Sequence, residues 1–201
     1  TLAKLASGTD GNLISYDTSG NPVAVATGND GQVLTSAGAG AVPTFETLPA
    51  GGITVADQWR LSGNISSDSN PVTSNLERVD TAGQGYIGSA MTQSSGVFTF
   101  PSTGIYKVEF IGYANANGSD NILFAIMCTT NNSSYVEIAR NFYGVGASQL
   151  GTAYCASLID VTNTSNVKVS FKIGSLDAGS YAGGSTSQNQ TTMTFIRLGD
   201  T

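Results

Sequence analysis

The sequence predicts an all-β protein: an antiparallel jelly-roll sandwich preceded by an extended, Gly-rich repeat arm. Three observations carry this. Apolar and polar residues alternate from Tyr106 to Phe110 and from Val167 to Ile173, the period of a half-buried strand. Polar turns such as Asn131-Asn132-Ser133-Ser134 separate the apolar segments, and no stretch shows a helical period. The first fifty residues nearly repeat themselves at a spacing of twenty.

The repeat comes first in the chain. Leu5-Ala6-Ser7-Gly8-Thr9-Asp10-Gly11-Asn12-Leu13-Ile14-Ser15 returns as Val25-Ala26-Thr27-Gly28-Asn29-Asp30-Gly31-Gln32-Val33-Leu34-Thr35. Asp-Gly marks a tight turn, because Gly accepts positive φ without a steric penalty. Each unit reads as a turn followed by a short strand. The large apolar residues here are too few to offset the entropy of ordering fifty residues, so the segment is expected to order only against another chain or domain. Residues 1–50 form this repeat region. Residues 51–56 form a linker, reached through Leu48-Pro49-Ala50-Gly51-Gly52, where Pro and paired Gly break any regular pattern. Residues 57–201 form the β domain.

Within the β domain the candidate strands are 57–62, 86–91, 96–100, 106–110, 121–130, 134–142, 152–161, 167–173 and 191–198. Two of them are apolar on both faces: Asn121 to Cys128 and Met193 to Leu198. One face of each fills the core, and another subunit is the natural cover for the other. Phe124, Ile126, Phe195, Ile196 and Leu198 are the candidate residues of that subunit interface.

Composition excludes several functions. The net charge is −6 and the eight basic residues are scattered from Lys4 to Arg197, so no phosphate-binding patch exists and nucleic acid is not an expected partner. No apolar run reaches the roughly 18–20 residues of a membrane helix, and the N-terminus lacks the apolar region of a signal peptide. The chain begins at Thr1 without Met, as a processed product or a piece of a longer chain does. There is no His, which removes Ser-His-Asp and Cys-His catalysis, His metal sites and His pH switching. Asp17-Thr18-Ser19-Gly20-Asn21 lacks the alternating ligands and distal Glu of a calcium loop and reads as a turn. The four Glu and ten Asp form no recognisable catalytic pair. No enzymatic activity, metal or cofactor is expected. Cys128 and Cys155 permit one bridge; the favoured reading is two buried free thiols acting as small hydrophobes.

Gly96-Val97-Phe98-Thr99-Phe100-Pro101-Ser102-Thr103-Gly104-Ile105-Tyr106-Lys107-Val108-Glu109-Phe110 resembles the central signature of C1q/TNF-like jelly rolls, in which a G-x-F-x-x-P-x-x-G-x-Y pattern pairs two strands. Asp57 to Leu61 is similar to that family's first strand and Thr192 to Leu198 to its last. Gly28 through Phe45 resembles the Gly-x-Asp-Gly-Gln-Val-Leu-Thr-Ser phrases of bacteriophage fibre proteins. Phe45 stands where that pattern often has Trp. The joint resemblance implies a homotrimer in a virion, assembled in the host cytoplasm and displayed on the particle surface. Residues 1–50 would contact other virion proteins or wind as a trimeric stalk, and the head would contact the host surface through glycan or another receptor. A tail fibre, a capsid-bound head fibre or decoration protein, and a secreted C1q-like adhesion module stay open as alternatives. Aromatic rings beside small polar residues make adaptable contacts. The candidate binding loops are therefore Asn141-Phe142-Tyr143, Tyr181 and Tyr135. For Phe142 and Tyr135 the favoured reading is a ring packed back on the sandwich; Tyr181 is expected to be the most exposed ring, and Trp59 reads as an anchor of the first strand.

Overall fold

The computed structural model describes residues 8–48, 51–118, 120–145 and 149–201. Leu5, Ala6 and Ser7 of the first repeat, Pro49 and Ala50 of the linker, Ser119 and Gly146 lie outside the described residues. The chain divides into two compact units, Thr1–Gly52 and Ile53–Thr201. The described residues hold no helix.

In the first unit each repeat forms a β-hairpin. β1 (Leu13–Tyr16) pairs with β2 (Pro22–Val25), and β3 (Gln32–Thr35) with β4 (Thr44–Thr47), both antiparallel. The expected turn precedes β1 and β3; the return strands β2 and β4 carried no period long enough to be read. The repeat is also one of backbone conformation. Gly11 and Gly31 have φ of 81° and 82°, and Gly20 and Gly40 have 79° and 80°. These are left-handed values that only Gly adopts without strain. Asp17 closes the first hairpin loop by accepting the backbone N–H groups of Ser19 at 2.9 Å and Asn21 at 2.8 Å, an Asx-type turn. Those bonds, chiefly the one from Asn21, hold its carboxyl below the usual carboxylate range.

The second unit is the expected antiparallel sandwich. Its strands are β5 (Ala56–Leu61), β6 (Leu76–Arg78), β7 (Thr92–Ser94), β8 (Val97–Thr99), β9 (Gly104–Ala116), β10 (Asp120–Thr129), β11 (Val136–Val145), β12 (Gln149–Val161), β13 (Lys168–Gly174), β14 (Tyr181–Ala182) and β15 (Thr192–Gly199). One sheet runs β11-β10-β13-β8-β7. The other runs β12-β9-β15-β5-β6, with β14 beside β9. The expected strand 86–91 is not a ladder: only Ile87 bridges to Ala56. Gly88, with φ of 67°, passes so close to the Thr54 carbonyl that a Cβ there would lie 2.1 Å from its oxygen. β6 and β14 are too short for their period to be visible.

The core lies between the sheets. Phe98, Phe110, Phe171 and Phe195 are buried and packed ring to ring, with centroids 4.9–5.9 Å apart. Trp59 meets Phe98 edge-on at 5.3 Å, so it anchors β5 as expected. Gly112 on β9 leaves room for Phe124 of the opposite sheet; a Cβ there would sit 2.1 Å from the ring. The signature from Gly96 to Phe110 has a local explanation. Ser95 and Gly96, both at positive φ, turn β7 into β8, the geometry of a tight hairpin. A Cβ at Gly104 would collide with the Gly199 carbonyl at 2.5 Å. Tyr106 donates its hydroxyl to the Ser102 carbonyl at 3.1 Å, tying the strand to the turn before it.

Three of the five candidate interface residues are corrected by this packing. Phe124, Ile126 and Phe195 are fully buried within one chain. They fill the sandwich core and offer nothing to a second subunit. The outer face of β10 is also covered at home: Leu123, Ala125 and Met127 are buried, with Leu123 beside Asp68 and Lys172 near Gly174. Charged residues flank Ala125 in register, Arg140 on β11 and Lys172 on β13. Apolar strand faces were legible, but which chain covers them depends on loops distant in sequence.

Candidate ligand and partner surfaces

Ile196 and Leu198 lead to a different face. Ile196 stands in register with Lys107 on β9, on the outer side of the six-stranded sheet. Outward residues of the neighbouring strands continue that surface. β9 contributes Ile105, Lys107, Glu109, Ile111 and Tyr113, and β12 contributes Tyr154 and Leu158. Leu158 is 64% exposed, Leu198 55% and Tyr154 46%. A sheet face this apolar is unusual beside solvent. At its centre Lys107 Nζ lies 2.7 Å from Glu109 Oε1, and the Tyr154 hydroxyl donates to the same oxygen at 2.8 Å. The Lys107 hydrogen bond holds the Glu109 carboxyl below its ordinary range, against the opposing effect of burial. The same contact raises the Lys107 ammonium, and the bond to Glu109 raises the Tyr154 phenol.

The predicted aromatic loops are distributed otherwise. Asn141, Phe142 and Tyr143 lie within β11 rather than in a loop. Phe142 is 45% exposed, with the Arg140 guanidinium over its ring at 5.6 Å, so it does not pack back on the sandwich. Tyr143 packs against the core and donates its hydroxyl to the Leu150 carbonyl at 2.6 Å. It covers Gly151, where a Cβ would meet the ring at 1.8 Å. Asn141 donates its amide to the Tyr154 carbonyl at 3.0 Å. Tyr181, expected as the most exposed ring, is half-buried on β14, its hydroxyl accepting from Asn115 at 2.9 Å.

Tyr135 is the candidate that meets a cavity. A recess of about 330 Å³ opens on the outer face of the five-stranded sheet, lined by Asn70, Pro71, Val97, Met127, Ser133, Tyr135 and Ser170. Val97, Ser170 and Met127 are in register across β8, β13 and β10 and make its floor. Only Tyr135 among the seven was singled out from the sequence. The others come from separate segments, and strand alternation would place Ser170 and Met127 outside the core without bringing them together. A second recess, of about 400 Å³, lies between β5, β15 and residues 83–87, with Tyr86 and Ile87 at its rim.

Cys128 and Cys155 are free and buried on β10 and β12. Burial pushes the Cys155 thiol up to about 11 and raises that of Cys128. Among the described residues no group of three or more His, Cys, Asp or Glu could hold a metal ion.

No protein-family model matches the chain, and no curated protein matches it. Solved structures do. A crystal structure of murine APRIL at pH 5.0 superposes with a TM-score of 0.54 at 14% identity, over 72% of this chain and 98% of that one. Eiger TNF from S. frugiperda superposes with a TM-score of 0.54 at 12% identity, over 73% of this chain and 94% of that one. Identity this low speaks for the fold alone, and the fold is the TNF-like jelly roll.

Proposed function

We propose, with that fold as the premise, that the chain is a non-enzymatic structural protein of a bacteriophage particle. It assembles as a homotrimer whose jelly-roll head contacts the host cell surface, with glycan as the contact. Residues 1–50 join it to other virion proteins or wind with their copies, through the hairpins that resemble fibre repeats. The observation that carries the reading is the outer face of β12, β9 and β15. Leu158, Tyr154 and Leu198 expose apolar surface on this sheet face, with Ile196 partly exposed beside them. Such surface marks a contact site, and self-association of identical chains about one axis hides it on every copy at once.

Sedimentation equilibrium of the full chain at micromolar concentration tests the assembly. The expected species is a trimer, and Leu158→Asp on the exposed face shifts it toward monomer. A stable wild-type monomer overturns the assembly. Particles imaged with this chain labelled test the virion assignment, and absence of label from the particle overturns it.

A further inference from the structure

We infer that the recess walled by Asn70-Pro71 on one side and Ser133 to Tyr135 on the other is a binding site for a neutral sugar residue. The inference deepens the host-contact reading above and rests on it only for the source of the sugar.

The site is built rather than incidental. Its floor is the register row Val97, Ser170, Met127 across three adjacent strands. One wall is pinned to β13 on both sides: Ser69 exchanges backbone hydrogen bonds with Ile173 at 2.8 and 3.0 Å, and Val72 N–H donates to the Phe171 carbonyl at 2.8 Å. Asn70 and Pro71 are thereby held outward over the floor. The other wall is organised by Asn131. Its Oδ1 accepts from Ser133 N–H at 3.0 Å, Ser133 Oγ at 3.0 Å and Ser134 N–H at 2.9 Å. Both walls are set before any ligand arrives, which reduces the ordering cost of binding.

The lining has the two-sided chemistry of a sugar. The Tyr135 ring, the Pro71 ring, Val97 and the Met127 thioether present apolar surface. Polar groups without protein partners line it as well. Ser170 is only 3% exposed, yet its hydroxyl makes no hydrogen bond among the described residues; neither do the Tyr135 hydroxyl and the Asn70 side-chain amide. A purely apolar occupant would strip these groups of water without giving them a partner, which disfavours it. No charged side chain lines the recess, so a phosphate or carboxylate finds no counter-ion there. A neutral ring with one C–H face and a hydroxyl edge satisfies both sets of groups. The volume falls within the range of small-ligand sites, roughly 300–1,000 Å³. The recess is on the sheet opposite the proposed subunit face, so it stays open in a trimer.

The three methionines provide the test. Met127 lines the recess, whereas Met91 and Met193 are fully buried in the core. The full chain, labelled with 13C at the methionine methyls, is titrated with the methyl glycosides of glucose, galactose, mannose and N-acetylglucosamine, and with N-acetylneuraminic acid. The expected result is a saturable movement of the Met127 signal at millimolar concentrations of at least one neutral glycoside, with Met91 and Met193 unmoved. Ser170→Ala and Tyr135→Phe each weaken it by roughly three- to tenfold, the worth of one hydrogen bond. Unchanged Met91 and Met193 signals show that the variants remain folded. A Met127 signal unmoved by every neutral glycoside overturns the inference, as does an equal response to N-acetylneuraminic acid or indifference to both substitutions. A chain that binds host cells with Met127 silent overturns this inference alone. A Met127 response in a chain without affinity for cells supports the site and removes the host-contact reading.

Discussion

Arg78 grips Asp57 inside the sandwich. Its Nε lies 3.1 and 3.2 Å from the two carboxylate oxygens, and the Asp57 side chain has no exposed surface. Asp57 also accepts the Met91 backbone N–H at 2.9 Å and the Trp59 indole N–H at 3.2 Å. The Arg78 guanidinium lies over the Trp59 ring at 4.7 Å and near Tyr86 at 5.5 Å. One carboxylate thus joins β5, β6 and the start of β7.

The two partners are not equivalent. Arg78→Ala leaves a buried carboxylate without its counter-ion and is expected to cost about 3–5 kcal/mol. Asp57→Asn leaves an Arg that is one-third exposed and can turn to water; about 1–3 kcal/mol is expected. Urea unfolding of the two variants checks the order, and equal losses would contradict it.

Gly112→Ala places a methyl group against the Phe124 ring in a filled core. A loss of roughly 1–3 kcal/mol is expected from overpacking. Phe124→Leu in the same chain should recover part of it, so the pair is non-additive. Additive losses in thermal unfolding would show that the two positions do not share the space.

Stability should depend on pH through the Lys107, Glu109 and Tyr154 cluster. Glu109 is depressed, so its contribution is present above its unfolded pKa and is lost as pH falls through the lowered folded value. Lys107 and Tyr154 are raised, so theirs is present below their unfolded values and is lost as pH rises through the folded ones. The plateau lies between the carboxylate range and the alkaline range of Lys and Tyr. Glu109→Gln should flatten both limbs, since it removes the acceptor common to all three. Unfolding midpoints measured across pH check this.

Both thiols should be silent in the folded chain. Burial raises Cys128 and Cys155, and the thiolate is the reactive form. At mildly alkaline pH an aromatic disulfide reagent should label neither in the native state and both in urea. Failure to label two thiols in urea would indicate a bridge, which a secreted module would favour.

What could be read from the sequence was what is local. The stretch from Gly96 to Phe110 carries its own turn glycines, its alternation and the Tyr106 anchor within fifteen residues, so strand and turn were both legible there. The Asp-Gly turns of the repeat were legible for the same reason. Relations across the sheet were not. Asp57 reads as a polar residue in a first strand, and nothing near it announces Arg78 as its partner. Phe124 and Phe195 read as surplus apolar surface, because the rings that enclose them, Phe110 and Phe171 among them, come from other strands. The recess beside Tyr135 draws on five separate stretches of sequence, and its register exists only once β8, β13 and β10 are paired.

Gly11 and Gly31 share one backbone conformation, as do Gly20 and Gly40, yet the hairpins they serve differ in the length of the loop at the tip, residues 17–21 in one and 36–43 in the other. The entry turn is constant and the tip is free to vary. A segment made this way behaves as a set of interchangeable cassettes. Whole hairpins can be inserted or removed, and tips lengthened, without altering the turn that starts the next one. The number of residues ahead of the sandwich can then change by whole hairpins, each closed by its own antiparallel ladder.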